Sequence, residues 1–153
     1  MQHKLKKRTL ARRAACGLVT GLAAASLSIA PANAYHVDPS YNRDRTALAV
    51  VHPDGRISMS AMAEDPRPAL SLAKLYLAYY VLYHGTDEEK DQVTSMIASS
   101  DDEVATEFDE RHPEAIDEIA KDFKLRQTTR NEYWGQAETS ARDVATFVSS
   151  IIW

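Results

Sequence analysis

Cysteine is almost missing from this chain. Among 153 residues there is one, Cys16, near the start of an apolar run. A lone thiol excludes an internal disulfide, and its position excludes a structural Cys-based metal site. Ligand spacings of other kinds are missing too. His36, His52, His84 and His112 are scattered, with no H-E-x-x-H arrangement, and read as surface residues. No D-x-D-x-D-G loop exists. The acidic clusters Asp87-Glu88-Glu89 and Asp101-Asp102-Glu103, with Glu107, therefore read as helix N-terminal charge rather than as a Ca²⁺ site. There is no internal repeat and no low-complexity tract. These absences imply no metal and no cofactor.

Positive charge is concentrated at one end. Lys4, Lys6, Lys7, Arg8, Arg12 and Arg13 precede a small-residue and apolar stretch, Ala14 to Ala30, which ends in Ala32-Asn33-Ala34. That order predicts a secretory signal peptide over 1–34, cleaved after Ala34, and a secreted or cell-envelope location. The run is too short and too interrupted for a permanent membrane span. Removing it leaves 119 residues, one small domain without cysteine. It also lowers the basic count from 18 to 12 against 22 acids, so the net charge falls from −4 to −10. An acidic surface argues against nucleic acid and anionic membrane as partners.

What remains patterns as α+β. Residues 35–45 are polar and read as a flexible lead-in. A strand over Thr46–His52, the turn Pro53-Asp54-Gly55 and a strand over Arg56–Met62 predict a β-hairpin. Residues 64–68 connect it to an apolar helix over about Leu70–Tyr83, closed by Gly85. In that helix, Tyr76, Tyr79, Tyr80 and Tyr83 are expected to serve packing. Thr86 with Glu89 predicts a capping box, followed by a helix with Val93, Met96 and Ile97 on one face. After a break at Ser99–Asp102 come a short helix with Val104, Ala105 and Phe108, and another starting near Pro113 and using Ile116, Ile119, Ala120 and Phe123. Leu125 to Glu138 reads as a loop that Trp134-Gly135 anchors. Ser140 caps a last helix with Val144, Phe147, Val148, Ile151 and Ile152 on one face. Its apolar end calls for a covering segment or partner chain, or marks a gene shorter than its original.

The stretch SLAKLYLAYYVL, Ser71 to Leu82, poses the chemical question: a lone lysine on an apolar helix. Ser71 and Lys74 are three apart, so on a helix their Cβ atoms lie about 5–6 Å apart on one face. A serine hydroxyl needs a base beside it to act as a nucleophile, and an amine sheltered from water can be that base. S-x-x-K alone recurs by chance. Here it opens an unusually apolar helix, follows a hairpin, and precedes Ser100-Asp101-Asp102 at the start of another short helix.

In that order the chain resembles the penicillin-recognising serine hydrolases, the class A β-lactamases and related penicillin-binding proteins. Their pattern is a hairpin, S-x-x-K, S-D-N, then K-[ST]-G. The resemblance covers 46–153. It implies a β-lactamase/transpeptidase-like α+β fold, present in part, with acylation of Ser71 by a β-lactam or a peptidoglycan stem peptide. Lys74 would be base or proton relay, Ser100 a proton carrier to the leaving nitrogen, and Asp102 a substrate-binding residue where the family has asparagine. The departures are specific. Asp102 is a carboxylate that accepts but does not donate when ionised. The segment between the serine motifs is short. There is no E-x-x-L-N loop, and Glu132, in the corresponding region, is given no deacylating role. No K-[ST]-G follows, so the strands and helix completing the fold would fall beyond residue 153. Two other readings stand beside the enzyme: a non-catalytic binding or scaffolding module on the same fold, and an unrelated small secreted helical interaction protein.

Overall fold

The computed structural model describes residues 36–43 and 45–152; the expected signal peptide lies outside the described residues. Within them the chain is α+β, with five α-helices and two small antiparallel sheets. No helix among the described residues is long and apolar enough to cross a membrane.

The hairpin forms from β1 (Ala49–Val51) and β2 (Ile57–Met59), with Val50 opposite Ser58. Gly55 takes the turn's left-handed position at φ +81°, and the Asp54 carboxylate accepts from the Arg56 amide at 3.1 Å. The strands are shorter than the sequence predicts. At Ser60 the ladder changes partner: its amide still donates to the Leu48 carbonyl at 2.9 Å, but its hydroxyl replaces a backbone carbonyl as acceptor for the Leu48 amide. The lead-in lies against this hairpin, with the Ala61 amide donating to the Tyr41 carbonyl at 3.3 Å.

A second sheet is not foreseen. The segments read as a connection and a loop supply β3 (Arg67–Pro68) and β4 (Glu138–Thr139), paired antiparallel. Two-residue strands leave no alternation to detect, and Pro68 argues against a strand at all. The Ala69 amide extends the pairing to the Ala137 carbonyl at 2.8 Å.

The centre of the domain is α1 (Ala73–His84), which buries Ala73, Lys74, Tyr76, Leu77, Ala78, Tyr80 and Val81. It packs on α2 (Asp87–Ser99), α3 (Asp102–Arg111) and α4 (Ala115–Asp122). The helix is not apolar-buried throughout: Leu82 and Tyr83 are exposed. Gly85 ends it in an extended conformation at ψ 169°, and the position takes glycine because a Cβ there would stand 2.8 Å from the Val81 carbonyl oxygen and Cγ1. Helix α4 starts at Ala115 rather than at Pro113, which sits in the preceding turn. The last helix, α5 (Ala141–Ile152), packs on β1 and joins the core through Phe147, whose ring meets Tyr76 edge-on at 4.9 Å and Phe123 at 5.0 Å. Ser140 caps it, accepting from the Asp143 amide at 3.1 Å. Ile151 and Ile152 are exposed, as the apolar end of the sequence suggests.

The expected capping box at Thr86 forms, and its glutamate also ties α2 to α3. Buried Glu89 accepts from the Thr86 amide at 2.8 Å, and its other oxygen meets His112 Nε2 at 3.2 Å and Arg111 Nη1 at 3.3 Å. The Thr86 amide above all, then His112 and Arg111, hold its carboxyl below the ordinary glutamate value of 4.5, against the opposing effect of burial. A carboxyl lowered by folding stabilises the native state above its unfolded value, and that stability is lost as pH falls through the folded value. Glu89→Gln is expected to lower Tm by of order 10 °C near neutral pH. The gap should narrow as the pH falls below 4.5. Thermal melts of both proteins across that range check this, and a gap independent of pH contradicts it.

Candidate active site

The chain enters the site with an unusual turn. Leu70 has φ +51°, a left-handed conformation costing roughly 1–2 kcal/mol for a residue with a side chain. It begins a 3₁₀ turn, Leu70–Leu72, closed by the Leu72 amide on the Ala69 carbonyl at 3.1 Å. Ser71 therefore sits on this turn, exposed, and the regular helix begins only at Ala73. The helix expected from Leu70 is shortened because a left-handed residue cannot continue a right-handed helix, and because β3–β4 pairing holds Ala69 in place.

Ser100 is the second left-handed residue, at φ +55° and ψ +46°. It ends α2, with its amide on the Met96 carbonyl, and Asp101 then caps α3 by accepting from the Glu103 and Val104 amides at 2.9 and 3.2 Å. Reversing the chain between two helices turns both the Ser100 carbonyl and its hydroxyl toward α1. Among the described residues, two of the four non-glycine residues with positive φ flank this site.

Lys74 fills the gap between them. It is 1% exposed, and its Nζ donates to the Ser100 carbonyl at 2.7 Å, to Ser100 Oγ at 2.9 Å, and to the Asp102 carboxylate. An ammonium has three donors, and these contacts use all three. Ser100 Oγ in turn lies 3.2 Å from Ser71 Oγ, to which it donates. The four residues singled out in the sequence thus come together, but not as the spacing alone suggests. Lys74 reaches Ser71 through Ser100, so the order is Ser71, Ser100, Lys74.

The same heavy atoms fit a second proton arrangement. A neutral amine has two N–H donors, for the Ser100 carbonyl and Asp102, and a lone pair that accepts from Ser100 Oγ–H. Ser100 can then accept from Ser71 Oγ–H. The two arrangements differ in the direction of the hydroxyl chain, and the second leaves Ser71 poised to lose its proton.

Trp134 completes the enclosure in a role the sequence does not reveal. Its ring lies under Lys74, with Nζ 5.0 Å from the centroid, a cation–π contact worth about 0.5–2 kcal/mol. The ring is fixed at both ends. Its Nε1 donates to Thr106 Oγ1 at 3.1 Å, and its amide donates to Asp109 Oδ2 at 3.2 Å. Asp109 is itself buried and held by Arg130 through two 2.7 Å hydrogen bonds. No motif links residues 74, 109, 130 and 134. Reading Trp134 as a loop anchor captures half of what it does.

An open cleft of about 550 Å³ faces Ser71 and Ser100. Leu70, Leu72, Leu75 and Ile97 supply much of its wall. Among the described residues no group of three or more His, Cys, Asp or Glu side chains is arranged to hold a metal ion. Comparison with protein-family models, with curated proteins and with solved structures produced no match to this chain.

Removing one partner of an ion pair is costly where it leaves the other charge buried and uncompensated, a cost that lapses where that other charge faces water. Asp102 is 74% exposed and would regain water. Lys74→Met is therefore expected to keep or raise Tm while removing any reactivity of Ser71. Parallel melting curves and acylation assays test this; a large loss of Tm would make the lysine a structural clamp.

Proposed function

We propose that this chain is an exported serine hydrolase of the penicillin-recognising type, carrying part of a β-lactamase/transpeptidase-like fold and acylated on Ser71 by β-lactams or peptidoglycan stem peptides. The supporting observation is the Ser71–Ser100–Lys74 hydrogen-bonded series, closed on the inner side by a buried amine and open to a cleft on the outer. In the acylating direction the Ser71 proton moves to Ser100 Oγ as the Ser100 proton moves to the free amine of Lys74. The Ser71 Oγ–carbon bond forms at the lactam or peptide carbonyl, the carbon–nitrogen bond breaks, and the proton returns through Ser100 to the leaving nitrogen. Trp134 and the wall of α1 keep water from the amine while this happens.

One observation favours a second reading, a non-catalytic binding or scaffolding module on the same fold. The Asp102 carboxylate attracts the protonated lysine, which opposes its use as a base. Asp102→Asn removes that attraction and keeps an oxygen acceptor. It is expected to raise the rate of Ser71 acylation several-fold.

A fluorescent penicillin with intact-mass readout tests both. One adduct, mapped to Ser71 and absent from Ser71→Ala, is the expected result. A folded protein that stays unlabelled, in the wild type and in Asp102→Asn alike, favours the binding module.

A further inference from the structure

We propose that the trough between β1 and α5 docks an extended peptide of a partner chain, which adds as a third strand to the free edge of β1 with its acidic carboxyl end against Arg45 and Arg67. The site is independent of the chemistry at Ser71. Three observations carry it.

The first is an edge. The β1–β2 register sets Val50 opposite Ser58, and on either side the Ser60 amide donates to the Leu48 carbonyl at 2.9 Å and the His52 amide to the Arg56 carbonyl at 2.8 Å. Backbone groups alternate in direction along an antiparallel strand. Residues 48, 50 and 52 turn theirs toward β2, so Ala47, Ala49 and Val51 turn theirs away. Among the described residues no strand pairs with β1 on that side. Outward N–H and C=O groups of this kind are a template for another chain.

The second is the room beside that edge. A cleft of about 550 Å³ borders Ala47 and Ala49, and one of about 340 Å³ borders Val51 and His52. Helix α5 lines both, with Val144 and Val148 at the first and Ser149 and Ser150 at the second. The two therefore follow one another along β1. An added strand of five residues, roughly 17 Å long, matches the length of 47–51. Half-buried Val144 and Val148, with Leu48 at 41% exposure, give its alternate side chains apolar surface to cover.

The third is charge. Arg45 and Arg67 line the first cleft, at the end where β1 begins, and among the described residues neither forms a salt bridge. Arg67 is half-buried. Its Nε is enclosed without a hydrogen-bond partner, and its Nη2 reaches only the weak acceptor Met62 Sδ at 3.7 Å. No Asp or Glu among the described residues lines either cleft, although acids outnumber bases 22 to 18 in the chain. A strand antiparallel to β1, the slightly stronger pairing, ends its chain beside these arginines. Its terminal carboxylate and an acidic last residue supply the charged acceptors that Arg67 lacks.

The test is fluorescence anisotropy with dansyl-Gly-Thr-Val-Thr-Val-Glu, free at its carboxyl end, against the same peptide ending in glutamine amide. The acid should bind at least about tenfold more tightly than the amide, and Arg67→Gln should abolish the difference. Ala49→Pro removes an N–H that β2 does not use, and should weaken both peptides by at least about tenfold. Leu48→Asp, at an exposed position, should weaken the acid by a similar factor and carries the test should Ala49→Pro fail to fold by circular dichroism. Ser71→Ala should bind as the wild type does, whether or not Ser71 is ever acylated. Equal binding of acid and amide, undiminished binding to a folded Ala49→Pro or to Leu48→Asp, loss of binding in Ser71→Ala, or no binding of the acid up to about 1 mM each overturns the proposal. A dimer in sedimentation velocity that the same edge variants dissociate assigns the edge to a second copy and also overturns it.

Discussion

The burial of one ammonium group organises this half of the molecule. A charge taken out of water costs several kcal/mol unless it is fully hydrogen-bonded. For Lys74 the acceptors come from the point where α2 turns into α3. The head of α1 and the α2–α3 junction therefore cannot separate without stranding a charge. The attraction to Asp102 is weakened by that carboxylate's exposure, so the arrangement is better understood as a constraint on position than as a source of stability.

Several supports converge on the same place from outside. The β3–β4 pairing fixes the chain just before Ser71 to the chain just after Trp134. The Asp109–Arg130 pair fixes the amide of Trp134, and Thr106 fixes its indole. Behind them, Thr128 and Thr139 share a 2.8 Å hydrogen bond, and Tyr76 adds another to Thr139 at 2.9 Å. Burial pushes the Tyr76 hydroxyl upward in pKa, which keeps it a neutral partner in this network. A polar layer of this kind holds side chains to a single geometry better than an apolar layer of the same size would.

Much of this was legible wherever the physics is local. The hairpin turn, the Thr86–Glu89 box, the Ser140 cap and the apolar faces of α4 and α5 follow from neighbouring residues, and they form at or within a few residues of the expected positions. The four candidate site residues are brought together as well, through the turn at Ser100 that sets its hydroxyl and the Asp102 carboxylate against Lys74, contacts across 26 and 28 residues that the S-x-x-K spacing does not itself encode. The second sheet was not legible, since two residues carry no periodicity and long-range pairing created it. Nor was the use of Ser100 as the link between Ser71 and Lys74. That depends on a left-handed serine, and serine has no strong preference for that conformation. Trp134 under the lysine depends on a contact sixty residues away in the chain, which spacing cannot encode.

Leu70 bears on how this protein tolerates change. Its backbone sits where glycine would be free of strain, and its side chain lies in water, where a polar residue would be better solvated. Random drift at such a position should run toward glycine, asparagine or aspartate, all of which relieve one cost or both. In a large set of folded variants chosen only for solubility, leucine at 70 should therefore be among the first residues replaced. Retention of leucine at 70 in variants selected for more than folding would instead show that a hydrocarbon side chain at the mouth of the cleft beside Ser71 is worth the strain.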